Sequence, residues 1–190
     1  MKKSISIFML ALFLFSCGNR SNNYQVANEN MQLKEDGIYN DSNLLMLFNE
    51  PILNKNLSSE TYRFIYLRTF HNPIIVRLEK DDKGKVKIYW KITDGAGGYD
   101  FGKMFVNETK ILSIKKWKEF EKLVYKKKFW TMSSLDNEMP PEDGSTWLIE
   151  GKKQGKYHIV KRWGGGKIEV LGKKLLELTD IKFDDENSIY

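Results

Sequence analysis

Glu150, His158 and Arg162 bring a carboxylate, an imidazole and a guanidinium together within thirteen residues. A carboxylate beside an imidazole can orient it as a general base, and a guanidinium can grip an anionic group through two bonds. The surrounding stretch, STWLIEGKKQGKYHIVKRW (145–163), reads as a β-hairpin, with KQG (153–155) as a three-residue loop and Gly155 in its left-handed position. That loop sets Glu150 opposite His158, Leu148 opposite Val160 and Thr146 opposite Arg162 on one face. Trp147, Ile149, Tyr157 and Ile159 then share the other face, toward the core. Opposed Cβ atoms lie about 4.5–5.5 Å apart, which brings Glu150 and His158 within hydrogen-bonding reach. A slip of one residue would undo the arrangement. Arg68 and His71, at the end of an upstream strand, join the cluster if that strand lies alongside. Two readings stand. One is a polar ligand or partner site of Arg68, His71, Glu150, His158 and Arg162. The other is an ordinary cross-strand ion pair on a solvated sheet face, contributing under about 1 kcal/mol.

Other chemistry is sparse. The two histidines are far apart in sequence and form no His-x-x-x-His pair, so neither a metal nor a cofactor is expected. NEMPPEDG (137–144) lacks the spacing of a calcium loop, and in WGGGK (163–167) Ile168 stands where a phosphate loop needs Ser or Thr. DGAGG (94–98) lacks the strand-to-helix setting of a dinucleotide loop, and no serine sits in a Gly-x-Ser-x-Gly elbow. No residue is therefore assigned a catalytic role. Of the five tryptophans, Trp90, Trp117 and Trp147 fall on core faces, which leaves Trp130 and Trp163 as the candidates for exposure.

The single cysteine, Cys17, follows two lysines and ISIFMLALFLF (5–15), a run without charge or proline. Eleven residues at about 1.5 Å each reach roughly half of the ~30 Å hydrocarbon core, too short to span and right for a signal-peptide core. Leu14-Phe15-Ser16-Cys17 resembles the lipobox of bacterial lipoproteins. The resemblance implies that residues 1–16 are a signal peptide cleaved before Cys17. It also implies that the thiol carries a diacylglyceryl group and that the new amino terminus is acylated, with palmitate-type chains. More than one acyl chain passes the threshold for stable anchoring. The chain is then held to a membrane of the cell envelope, its domain on the non-cytoplasmic side. Gly18, where an aspartate would retain it at the inner membrane, points to the outer membrane in an organism that has one. Acylation also removes the thiol from disulfide, zinc and nucleophile chemistry. Removing Lys2 and Lys3 from the 31 basic side chains leaves 29 against 25 acidic ones, a formal +4. That mild excess suits anionic lipid or glycan surfaces and is no nucleic-acid signature.

The elements that must position these residues follow from pattern. Residues 17–40 are polar and rich in asparagine, a flexible tether. Residues 41–58 form a lead-in segment, where DSNLLMLFNEP predicts a short helix between an Asp41 or Ser42 cap and Pro51. Residues 59–183 make a single domain, and residues 184–190 an acidic tail. TYRFIYLRTF (61–70), IIVRLEK (74–80), VKIYWKI (86–92) and MFVNETKIL (104–112) read as strands. Ser113 then caps a helix with Trp117, Phe120 and Val124 on one face. Lys118, Lys122 and Lys126 line the other face, and like charges at that spacing repel, so this stripe is solvated or meets something anionic. After the hairpin, Ile168, Leu171, Leu175 and Leu178 recur at helical spacing. Four strands, a helix, a hairpin and a helix predict an α+β fold, a mostly antiparallel sheet of about six strands with two packed helices.

DGSTWLIEG and GKYHIVKRW, with RTFHNPIIVR and DGAGGYDFGK upstream, resemble a family of small bacterial proteins, many of them lipoproteins. The family assigns no activity and carries no catalytic residue onto this chain. The expected function is a lipid-anchored envelope lipoprotein that binds an envelope protein or glycan partner without chemistry. The alternative is a small envelope hydrolase or transferase built on the hairpin cluster.

Overall fold

The computed structural model of the protein describes residues 42–54, 58–135, 143–183 and 189. Packing divides the chain into Met1–Asn40 and Asp41–Tyr190, and every described residue belongs to the second unit. The expected signal peptide, Cys17 and the expected tether lie outside the described residues, as do all but one of the residues of the expected acidic tail. No described helix is long and apolar enough to cross a membrane.

Helix α1 (Ser42–Leu47) is followed by four strands, β1 (Glu60–Arg68), β2 (Ile74–Lys80), β3 (Val86–Thr93) and β4 (Met104–Leu112). Next come α2 (Ile114–Lys126), a 3₁₀ turn at Phe129–Thr131, the hairpin β5 (Ser145–Lys153) and β6 (Lys156–Trp163), and α3 (Glu169–Glu177). The fold is α+β. All five strand pairings are antiparallel, in the order β4-β3-β2-β1-β5-β6. The chain leaves the sheet at edge β4, passes through α2 and returns on the far side of β1, so β1 lies between β2 and β5.

Strand alternation gives the sheet two faces. Tyr62, Phe64, Tyr66, Val76, Ile88 and Ile149 are fully buried on the first. Helix α2 packs there through Trp117 and Phe120, whose rings lie 5.5 and 5.2 Å from that of Tyr62. Helix α3 packs beside it at Gly172, where a Cβ would come within 2.7 Å of the Trp147 ring. Ile168, Leu171, Leu175 and Leu178 are buried with them, at the helical spacing read from the sequence. Ser113 is the N-cap of α2, but its side chain makes no cap bond, and its carbonyl accepts from Lys116 N–H at 3.0 Å.

The second face differs from a solvated one, because the lead-in segment covers it. Leu44, Phe48 and Leu53 are buried, and in the turn after α1 Asn49, with a left-handed φ of 47°, redirects the chain before Pro51. Glu50 then reaches into the sheet, with its carboxylate 2.8 Å from both Arg77 Nε and Lys91 Nζ. Lys91 also donates to the carbonyls of Phe48 and Asn49. This segment is part of the compact unit, so the fold has three helices, where two packed helices were expected.

The hairpin register also differs from the expected one. Lys153 pairs with Lys156, leaving a two-residue turn at Gln154 and Gly155, with φ of 50° and 75°. Two successive positive φ values make a type I′ turn, whose twist matches the flanking strands. The slip of one residue turns all of β6 over. Glu150 faces Ile159, and His158 lies opposite Gly151 on the other side of the sheet. Val160, and not Ile159, joins Trp147 and Ile149 on the helix-covered face.

Candidate functional site

The five residues singled out from the sequence do not converge. Glu150 is only 5 % exposed and Arg63, its cross-strand neighbour, is fully buried. Arg63 donates to Glu150 Oε2 from Nε at 2.6 Å and lies 2.5 Å away through Nη2, while Tyr157 Oη donates to Oε1 at 2.7 Å. Arg63 also donates to the Pro51 carbonyl at 2.6 Å. Glu150 is thus a structural anion tying the lead-in segment to the hairpin. His158, on the opposite face, packs edge-on against Phe129 at 5.1 Å, and that ring fits because Gly151 has no side chain to exclude it. Arg162 is buried and donates to the carbonyls of Ser133 at 2.8 Å and Lys161 at 2.6 Å, pinning the segment after the 3₁₀ turn. Arg68 is buried at the end of β1, its guanidinium 5.1 Å from the Tyr66 ring centroid and donating to the Asn72 carbonyl at 3.2 Å. His71 is exposed in the loop that follows. No acid–base pair is formed by Glu150 and His158.

His71 instead lines an open concavity of about 630 Å³ between the β1–β2 connection and the glycine-rich β3–β4 loop. Two aromatic rings stand at its lip. Phe70 is 60 % exposed and Tyr99 74 %, with centroids 6.1 Å apart and planes tilted by 33°. Asp94 and Asp100 also line it, and among the described residues no lysine or arginine does. The sequence offered Tyr99 in the polar loop DGAGGYD, whereas Phe70 was read as the end of the strand over 61–70, which in the structure stops at Arg68.

The loop is laced to its surroundings by its own backbone. Asp94 N–H donates to the Lys103 carbonyl, and Asp94 Oδ1 accepts from Lys103 N–H at 2.6 Å. Ala96 N–H donates to the Asp100 carbonyl at 2.7 Å, and Gly102 N–H to Asp100 Oδ1 at 2.9 Å. Gly97 and Gly98 donate to the carbonyls of His71 and Thr69, and Asn72 Nδ2 donates to the Gly95 carbonyl at 3.2 Å. A Cβ on Gly97 would lie 2.7 Å from the Arg68 carbonyl oxygen, so only glycine permits this close approach of backbones. Loops positioned on a rigid sheet in this way are where binding residues concentrate. Phe70 and Tyr99 therefore meet solvent from a fixed backbone, which lowers the ordering cost of a complex.

The displaced pKa values lie elsewhere. Burial pushes the Tyr62 phenol well above its ordinary value, helped by the charges of Glu121, Tyr125 and Glu60. Burial lowers Lys152. Burial also acts to lower Lys153, but its hydrogen bond to Glu121 and the charges of Glu121 and Glu60 outweigh that, and its pKa is raised. Tyr62 and Lys153 belong to the packing of α2 on the sheet, and Lys152 lies on the other face with Glu150. Among the described residues no cluster of three His, Cys, Asp or Glu side chains could hold a metal ion. The concavity can stack on apolar or cationic groups and accept hydrogen bonds, and it brings no nucleophile beside a base.

Comparison with protein-family models and with curated proteins found no match to this chain.

Proposed function

We propose that this chain is a lipid-anchored lipoprotein of the bacterial envelope whose domain is a non-catalytic binding module. It meets an envelope protein or glycan partner at the Phe70–Tyr99 concavity. The anchor reading rests on the lipobox at Leu14-Phe15-Ser16-Cys17 and the short apolar run before it. In an organism with two membranes, Gly18 directs the anchor to the outer one. The binding reading is carried by one observation: two largely exposed aromatic rings held on a loop laced into the sheet. Large apolar side chains presented this way, beside a few fixed polar groups, are the usual make-up of a recognition surface. The dispersal of Glu150, His158 and Arg162 over two faces leaves the hydrolase alternative without its constellation.

The test is a capture experiment with the Asp41–Tyr190 unit, which holds a complete apolar core of its own. Immobilised wild type and Phe70→Ala/Tyr99→Ala are each challenged with detergent-solubilised envelope. A stoichiometric partner retained by the wild type and lost by the double variant is the expected result. A partner held equally by both removes the concavity from the binding reading. Incorporation of labelled palmitate into the full chain, abolished by Cys17→Ala, is the expected result for the anchor.

A further inference from the structure

We infer that the outer face of α2 docks on the headgroup layer of an anionic lipid bilayer. Residues 114–128 hold seven lysines and two glutamates, a formal +5 out of the whole chain's +6. The buried face of α2 is Trp117, Phe120 and Val124, so the lysines project outward. Lys115, Lys118, Lys122 and Lys126 follow one another three or four positions apart, a stripe about 16 Å long at 1.5 Å per residue. All four are exposed, and none has an ion-pair partner within 4 Å among the described residues. The two glutamates are engaged elsewhere, Glu119 with Lys116 at 3.6 Å and Glu121 with Lys153.

Three observations choose a bilayer as the occupant. The stripe contains no arginine, and the four described arginines, Arg63, Arg68, Arg77 and Arg162, are all buried in structural roles. Lysine is a compact point charge suited to a diffuse sheet of headgroups, whereas a defined phosphate or carboxylate calls for the arginine fork. Ile114 and Tyr125 stand exposed beside the stripe, and apolar and aromatic side chains flanking lysines suit the headgroup–acyl boundary. Finally, repulsion between lysines four residues apart is relieved further where anionic charge lies against them.

The test uses the Asp41–Tyr190 unit without its N-terminal segment, so its outcome is independent of the anchor and of the concavity. Binding is measured by co-sedimentation with vesicles of phosphatidylcholine alone and of phosphatidylcholine with phosphatidylglycerol. The expected result is binding to the anionic vesicles only, weakening as salt is raised. At about fivefold per lysine near an anionic surface, Lys118→Gln/Lys122→Gln/Lys126→Gln weakens binding about 100-fold. Lys103→Gln/Lys167→Gln/Lys182→Gln, on exposed segments at the other end of the sheet, removes the same charge and should change it little. All six side chains are exposed, so the thermal midpoint of both variants should match the wild type. No binding to anionic vesicles, equal loss in the two triple variants, or tight binding to a soluble polyanion but not to vesicles would each overturn the inference.

Discussion

Replacing Glu150 by glutamine separates a structural role from a functional one. In the folded protein Arg63 holds Glu150 Oε2 at 2.6 Å through Nε and 2.5 Å through Nη2, with neither residue open to water. Glutamine keeps the shape and one acceptor but removes the charge. Arg63 is then left with the Pro51 carbonyl at 2.6 Å and with Glu50 at 3.6 Å. Breaking a buried ion pair from one side costs about 3–5 kcal/mol, and the surviving Glu50 contact argues for the lower end, about 3 kcal/mol. For a unit of this size, each kcal/mol moves the melting temperature by roughly 2–4 °C, so a fall of about 6–12 °C is expected. Urea unfolding of the Asp41–Tyr190 unit at neutral pH reads the same loss as a shifted midpoint with unchanged slope. The double variant Arg63→Met/Glu150→Leu should recover most of it, because Glu50 keeps Arg77 and Lys91, each at 2.8 Å. Partner capture should survive in Glu150→Gln below its melting temperature. A loss of less than about 1 kcal/mol, within the range of a surface pair, would refute the reasoning. Abolished binding or activity at unchanged stability would return the site to the hairpin.

Tyr62 makes stability depend on alkaline pH. Its folded pKa is raised by burial, so above pH 10 the unfolded chain releases the phenolic proton while the folded chain keeps it. Stability then falls as pH rises, by about 1.4 kcal/mol per pH unit from this group. Tyr62→Phe should flatten the fall by that amount in urea titrations at pH 10–11, and an unchanged slope would contradict it. Gly97→Ala sets a Cβ 2.7 Å from the Arg68 carbonyl oxygen, which the β3–β4 loop can relieve only by lifting off the Thr69–His71 backbone. We expect a cost of about 1–3 kcal/mol, measured by thermal unfolding, together with weaker partner capture.

The sequence by itself determined the elements and their class. Strand alternation at Ile74–Val76–Leu78 and Val86–Ile88–Trp90 and the Trp117–Phe120–Val124 and Leu171–Leu175–Leu178 spacings are local periodicities, and each buried the face it marked. The sequence also held the lipobox-like run Leu14-Phe15-Ser16-Cys17 and the lysine stripe, since both are patterns along the chain. The hairpin register was not legible. Ile159 and Val160 are adjacent and both apolar, so either could face the core, and glutamine gives no sign of a left-handed turn position in the way asparagine or glycine does. Only packing decided it, by setting Val160 with Trp147 and Ile149 and leaving Tyr157 to reach Glu150. The union of Glu50 with Arg63, Arg77 and Lys91 was equally hidden, because it joins an irregular segment to three strands across 13 to 41 residues. The concavity was half visible: His71 stood out by type, whereas the meeting of Phe70 with Tyr99 requires two loops, 29 residues apart, to be stitched together by backbone hydrogen bonds. Periodicity records which side of an element is buried. Which distant side chains share that burial is set by register and crossover, and those follow from the packed whole.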